Sequence, residues 1–141
     1  MKRILSTLAI VFVMMTSFTA FASSKALPSK AMESTKTVKN YLDFVSTADL
    51  KLHKNLFTSD FEYLNKANGV SCNKREFIKF VNENKALNYN CTTKYEVLDE
   101  CAQTAVAKIT MDFGHFTRVD HVALTKEKND WKISKITTDY Q

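Results

Sequence analysis

The fold of this chain is decided by residues 104–125, which read TAVAKITMDFGHFTRVDHVALT. Apolar and polar residues alternate on both sides of Gly114-His115, a period typical of β-strands with one buried face. A two-residue turn at Gly114-His115 predicts a hairpin in which Phe113 lies opposite Phe116. The same register then pairs Met111 with Arg118, Ile109 with Asp120, Ala107 with Val122, and Ala105 with Leu124.

The flanking sequence extends this hairpin into a four-stranded sheet. We predict an antiparallel meander with short connections, whose strands are Cys91–Leu98, Thr104–Phe113, Phe116–Thr125 and Trp131–Thr138. The face that carries Asp120 then also carries Cys91, Thr93, Tyr95, Val97, Trp131 and Ile133. Because this face is dense in apolar residues, we expect helices to cover it, which is an α+β arrangement.

Two helices are predicted at the start of the domain. The first begins at Ser34 or Thr35 and repeats apolar residues at helical spacing, namely at Val38, Tyr41, Leu42, Val45 and Ala48. The second is short and begins at Ser46 or Thr47, and it directs Leu52, Leu56 and Phe57 inward.

A hairpin and a third helix follow. Residues 60–64 and 70–72 read as its two strands, with Asn68-Gly69 supplying the positive-φ turn residues. Asn73 with Glu76 three positions later resembles a capping box. The helix it starts runs to about Lys85, with an apolar stripe formed by Phe77, Phe80 and Val81.

The covered face of the predicted sheet changes from apolar to polar along its length. One end carries plain core residues, which are Val97, Ala105, Leu124, Ile133 and Trp131. The other end carries Thr93, Arg118 and Asp120, with Thr137 if the last strand keeps its register. This gradient indicates a cone that is open to water at its polar end. The alternatives are a structural Arg118–Asp120 ion pair or a slipped register.

Asp120 is the main candidate for chemistry. In a poorly solvated cavity it suits a general base, whereas an adjacent Arg118 favours anion recognition. Tyr41 and Tyr63 can donate to a ligand oxygen, although tyrosines at such spacing are more often core residues. Thr93, Tyr95 and His115 complete the predicted binding residues, while His121 is expected on the outer face and His53 in solvent.

The first 22 residues have the pattern of a secretory signal peptide. Lys2 and Arg3 precede an apolar run that is too short to span a membrane, and Ala20-Phe21-Ala22 forms a small-x-small cleavage site. We expect cleavage after Ala22, export to the periplasm or the medium, a flexible leader over 23–33 and one domain over 34–141.

The charge of the remaining chain argues against nucleic-acid binding. Without Lys2 and Arg3 the chain has eighteen basic and fifteen acidic residues, and the basic residues are scattered along the sequence and do not form a cluster.

Three cysteines in an exported chain predict one disulfide and one spare thiol. The third helix climbs away from Cys72, and the following strand returns a similar distance to Cys101. We therefore predict a Cys72–Cys101 bond with Cys91 free, the alternative being three unpaired thiols. The cysteine spacing and the lack of a histidine partner do not indicate a metal site, and no cofactor is expected.

The segment from Phe116 to Ile133 resembles the closing hairpin of nuclear transport factor 2-like domains. It is most similar to their lumazine-binding, SnoaL-like branch, in which an acidic residue, a Leu-rich strand, a turn and Trp-Lys-Ile recur, here Asp120 and Trp131-Lys132-Ile133. The order of elements from residue 34 agrees. The resemblance implies a cone-shaped half-barrel, a cavity between sheet and helices, and frequent dimerisation through the outer sheet face. Asn129-Asp130 stands where a glycine often precedes the tryptophan.

Three functions are compatible with this sequence, because a fold does not by itself determine function. The first is a non-catalytic domain that binds a small organic molecule. The second is an isomerase or cyclase that uses Asp120 on a carbonyl compound. The third is a protein-association domain, for example a homodimer, that uses the mildly apolar Val106, Val119 and Ala123 on the outer face.

Overall fold

A computed structural model of the chain describes residues 32–85 and 90–141. The predicted signal peptide and residues 23–31 of the leader lie outside the described residues. The elements in chain order are α1 (Thr35–Thr47), β1 (Phe57–Asn65), β2 (Val70–Asn73), α2 (Lys74–Glu83), β3 (Thr92–Glu100), β4 (Thr104–Asp112), β5 (Thr117–Glu127) and β6 (Asp130–Tyr140). Two helices pack on one curled sheet that does not close, so the α+β half-barrel is confirmed. No helix in the described part of the chain is long and apolar enough to cross a membrane.

The predicted meander and its central register are confirmed. β4 pairs with β5 through Met111 and Arg118, Ile109 and Asp120, and the remaining pairs expected from the Gly114-His115 turn. The sheet is larger than predicted, because its strand order is β2-β1-β6-β5-β4-β3. β1 pairs in parallel with β6. The early hairpin is therefore part of the same sheet, and β6 is an interior strand.

A bulge in β6 changes one predicted position. Leu124 lies opposite Ile133, but Ala123 lies opposite Lys135, so Ser134 is an extra residue in the ladder. Side chains beyond a bulge point to the face opposite the one that strict alternation gives them. Thr138, not Thr137, consequently lies opposite Asp120.

The first helix is confirmed, and its buried face lies against the sheet. Val38, Tyr41 and Phe44 have no exposed surface. α1 ends at Ala48, whose φ of 50° is left-handed and breaks the helical path. The predicted second helix is wrong, because the residues up to Leu56 form turns and Phe57 begins β1. Leu52 is accordingly 38% exposed.

The hairpin and the following helix are confirmed with two corrections. Asn73 and Glu76 form a reciprocal capping box, which fixes the start of α2. Phe77 and Val81 are buried, but Phe80 is 51% exposed and does not belong to the core stripe. In the β1–β2 turn only Gly69 has a positive φ, of 70°, and Asn68 instead accepts a hydrogen bond from the Val70 amide.

The three cysteines are free, so the predicted Cys72–Cys101 bond is not formed. Cys72 lies in β2 and Cys101 directly follows β3, and these are the two opposite edge strands of the sheet. The prediction placed α2 beside the meander, whereas β1, β6, β5 and β4 lie between the two cysteine-bearing strands. A disulfide needs Cα atoms within about 7 Å.

Candidate functional site

The alternation of β5 and the turn before it place Asp120 on the covered face, where it is completely buried. Its carboxylate accepts four hydrogen bonds. Arg118 donates from Nε to Oδ1 at 2.9 Å and from Nη2 to Oδ2 at 2.9 Å. Thr138 donates to Oδ1 at 2.6 Å, and the Tyr41 hydroxyl donates to Oδ2 at 3.3 Å. One residue each from α1, β5 and β6 therefore donates to the same carboxylate.

These four bonds use the full hydrogen-bond acceptor capacity of the carboxylate, since its two oxygens together offer about four lone-pair sites. Burial, and then the Asp120 charge, raise the pKa of Tyr41 well above its ordinary value, so its hydroxyl remains a donor. Burial acts to lower the pKa of Arg118, but attraction to Asp120 outweighs it and raises that pKa. The arrangement is an ion pair whose carboxylate is fully hydrogen-bonded.

A cavity of about 280 Å³ adjoins this ion pair on the side of the early hairpin. We call it the hairpin cavity. Its walls come from β1, β2, α2 and the β5–β6 end of the sheet. The aromatic lining residues are Tyr63, Phe77, Phe80 and Tyr140, and Arg118 lines it as well. Small-molecule sites are commonly apolar concavities with a few placed polar groups, and this cavity has that composition.

Arg118 connects the ion pair with the hairpin cavity. Its side chain is 13% exposed. Nε and Nη2 bind Asp120, and no described residue forms a hydrogen bond with Nη1. Tyr63 stacks on Phe77 at 5.0 Å between ring centroids, and burial raises the pKa of Tyr63. The cavity thus combines aromatic surface with N–H and O–H donors.

The structure brings together four of the predicted binding residues. Asp120, Arg118 and Tyr41 form the ion-pair network, and Tyr63 shares the hairpin cavity with Arg118. Asp120 is not itself a cavity wall, because Arg118 lies between it and the opening and its own surface is fully buried.

The other predicted residues lie elsewhere. Thr93 and Tyr95 are exposed on β3, an edge strand, and Thr93 lines a separate cavity of about 180 Å³ beside the end of α1. His115 is exposed in its turn. His121 faces outward as predicted, whereas His53 is half-buried because its ring packs against Phe44 at 6.0 Å.

Sequence reasoning missed Thr138, Phe80 and Tyr140 as site residues. No sequence signal could have found the first, because only the bulge at Ser134 shifts the register so that Thr138 lies opposite Asp120. Phe80 was assigned to the core because it falls at helical spacing with Phe77. Only the packing of α2 beside the hairpin places it at the cavity.

A family model described as Putative lumazine-binding matches residues 29–137. A search of curated proteins finds no match. An NTF-2 like protein of unknown function from Silicibacter pomeroyi is 14% identical, with a TM-score of 0.60, covering 76% of this chain and 92% of its own. A putative ketosteroid isomerase from Shewanella frigidimarina is 11% identical, with a TM-score of 0.61, covering 74% and 92%.

The association domain of CaMKII from C. elegans has the same fold, with 13% identity, a TM-score of 0.58 and coverage of 74% and 91%. At such identities these three structures are similar to the chain in fold alone. They confirm the nuclear transport factor 2-like half-barrel expected from the segment around Asp120 and Trp131.

Proposed function

This chain belongs to the Putative lumazine-binding family, and we propose that it binds a small planar molecule in the hairpin cavity without transforming it. One observation carries the proposal. Arg118 is both a wall of the cavity and a partner of the buried Asp120, so its guanidinium is fixed in place with donors left over. A preorganised donor among aromatic side chains suits a flat ring with a carbonyl or similar acceptor oxygen.

The aromatic lining supports a planar ring over an aliphatic chain. Tyr63 and Phe77 already stack on each other, and Phe80 is half-exposed at the cavity. Offset stacking on such rings contributes about 0.5–1.5 kcal/mol beyond the burial of area. Arg118 donates and cannot accept, so it selects an acceptor atom on the ligand.

Binding has more support than catalysis. A general base needs a lone pair within reach of the substrate proton, and the four hydrogen bonds to Asp120 leave none available. The ketosteroid isomerase similarity extends to fold only, and the isomerase or cyclase alternative would require this network to open.

Lumazine, the compound in the family's description, is the probe for a direct test, since it is a planar dione. We expect calorimetry to give a Kd between about 1 µM and 1 mM. Phe80→Ala should weaken binding about tenfold by removing half-exposed aromatic surface from the cavity. Leu98→Ala is the matched control, because Leu98 is also 51% exposed but lies on β3.

The proposal fails if Phe80→Ala and Leu98→Ala bind equally well. It also fails if lumazine and its ring analogues do not bind, or if the protein converts them to a product. Thermal unfolding of both variants, measured without probe, separates loss of binding from loss of fold.

Self-association through the outer sheet face is a second candidate. Val106 on this face is 40% exposed and lies opposite Ala123, and one fold neighbour is an association domain. Sedimentation analysis tests this candidate. A protein that stays monomeric at high concentration would contradict it.

We also propose that the domain acts outside the cytoplasm. The support is the basic start, the short apolar run and the Ala20-Phe21-Ala22 site in the sequence.

A further inference from the structure

A further cavity, of about 590 Å³, lies between the start of α1 and the β5–β6 turn. We call it the polar cavity. α1 contributes Lys36, Thr37 and Asn40, and the turn region contributes Lys126, Asn129 and Asp130. No residue of the hairpin cavity belongs to it. Its volume falls within the range of small-molecule sites, about 300–1,000 Å³.

Trp131 lines the polar cavity and carries an unsatisfied donor. The residue is 8% exposed, and its indole Nε1 is buried with no hydrogen-bond partner among the described residues. A buried donor without a hydrogen-bond partner is destabilising. The backbone carbonyl of Trp131 accepts from Thr37, so α1 holds the residue in position.

The charges around Trp131 cancel. Lys126 pairs with Glu33 at 2.6 Å, and its ammonium lies 5.6 Å from the centroid of the Trp131 ring. Lys36 and Asp130 supply one further charge of each sign. A net-neutral lining does not favour a phosphate or another strong anion, which would require an excess of cationic donors.

Three amides also line the cavity, those of Asn40, Asn55 and Asn129. No hydrogen bond within the described residues engages their side chains. Each amide offers both donors and an acceptor, which matches a hydroxyl that donates and accepts at once.

We propose that the polar cavity binds a neutral polyhydroxylated molecule, such as a monosaccharide, with one hydroxyl oxygen accepting from Trp131 Nε1. The amides of Asn40, Asn55 and Asn129 would satisfy further hydroxyls. Because Lys126 covers the ring face, the ligand meets the N–H edge and not the face. Access of the hydroxyl to this buried donor would require the long side chain of Lys126 to shift away from the indole ring.

The chain contains one tryptophan, so a single indole N–H resonance reports on this site. We would titrate ¹⁵N-labelled protein with glucose, galactose, N-acetylglucosamine and maltose, and separately with inorganic phosphate. We expect at least one sugar to shift the Trp131 indole resonance saturably, with a Kd of about 1 mM, and phosphate to leave it unchanged.

Asn129→Ala and Asn55→Ala should each weaken the responding sugar about fivefold, the effect of one lost hydrogen bond. Both residues are exposed, so their truncation is expected to leave the fold intact. His121→Ala, on the outer face, should bind as tightly as the unmodified protein. The proposal is overturned if no sugar shifts the indole resonance up to about 100 mM, if only phosphate does, or if neither asparagine variant changes the affinity.

Discussion

Asp120 and Arg118 depend on each other, because each is a charge removed from water. Truncating Asp120 would leave the largely buried Arg118 guanidinium without its counter-charge. It would also leave the hydroxyls of Tyr41 and Thr138 without this acceptor. We expect Asp120→Ala to lower the free energy of unfolding by about 3–5 kcal/mol. Urea denaturation measures this change. The neighbouring His121→Ala should change it by less than about 0.5 kcal/mol, and equal effects of the two variants would contradict the ion-pair description.

The orientation of Asp120, Arg118 and His121 could be predicted from the sequence. A one-residue slip would expose Ile109, Met111, Phe113, Val122 and Leu124, at about 1.5–3 kcal/mol for each large side chain. The position of Thr138 could not be predicted, because the bulge at Ser134 depends on how β6 fits between two neighbours. The hydrogen bond from Thr138 to Asp120 depends on that same bulge, because the bulge brings the two residues opposite each other.

The free cysteines give a chemical test of the sheet order. Denatured, unreduced protein should titrate with three thiols, one for each cysteine. In the native protein Cys101 should react before Cys72, because Cys101 is exposed, whereas burial raises the pKa of the Cys72 thiol. Thiol-reactive dye labelling followed by peptide mapping measures both. A single titratable thiol would show that a disulfide forms after all.

At the scale of elements, Glu100 at the end of β3 holds the start of α1. Its carboxylate accepts hydrogen bonds from the amides of Glu33 and Ser34 and from the Ser34 hydroxyl. These bonds satisfy donors at a helix N-terminus that have no partner within the helix. Burial acts to raise the pKa of Glu100, but the bonds from Ser34 and Glu33 outweigh it and lower that pKa below 4.5.

A lowered pKa in the folded state contributes stability above the unfolded pKa, and this contribution is lost as the pH falls through the folded pKa. We therefore expect Glu100→Gln to be less stable by about 1 kcal/mol near pH 7. The difference from the unmodified protein should shrink as the pH is lowered below 4.5. Urea denaturation at several pH values measures it, with the exposed Glu96→Gln as control. A difference independent of pH would contradict this role of Glu100.

Local signals predicted most of the elements. The asparagine cap specified α2, and the period of two specified β3 to β6. The prediction of a short second helix was wrong. It rested on the helical spacing of Leu52 and Leu56, but the backbone carbonyl of Leu56 accepts a hydrogen bond from the Ile133 amide of β6. The parallel pairing of β1 with β6 joins residues distant in sequence, and no local pattern encodes such a contact. The hairpin cavity depends on this pairing.

For the whole molecule, the export proposal makes a simple prediction. Protein recovered from its native host should begin at Ser23, because signal peptidase cleaves after a small-x-small site such as Ala20-Phe21-Ala22. Intact-mass measurement of the exported protein tests it. Full-length protein retained in the membrane fraction would contradict the prediction.

The interior position of β6 has a consequence for the order in which the protein can fold. Synthesis proceeds from the N-terminus, so β1 and α2 leave the ribosome long before Asp130–Tyr140, the strand on which β1 depends. Until then one edge of β1 has no partner, and the two halves of the sheet cannot join. A chain whose sheet stays open until β6 is made can still pass through a translocation channel. For the export proposed above, the late synthesis of β6 would therefore keep the domain unfolded while translocation begins.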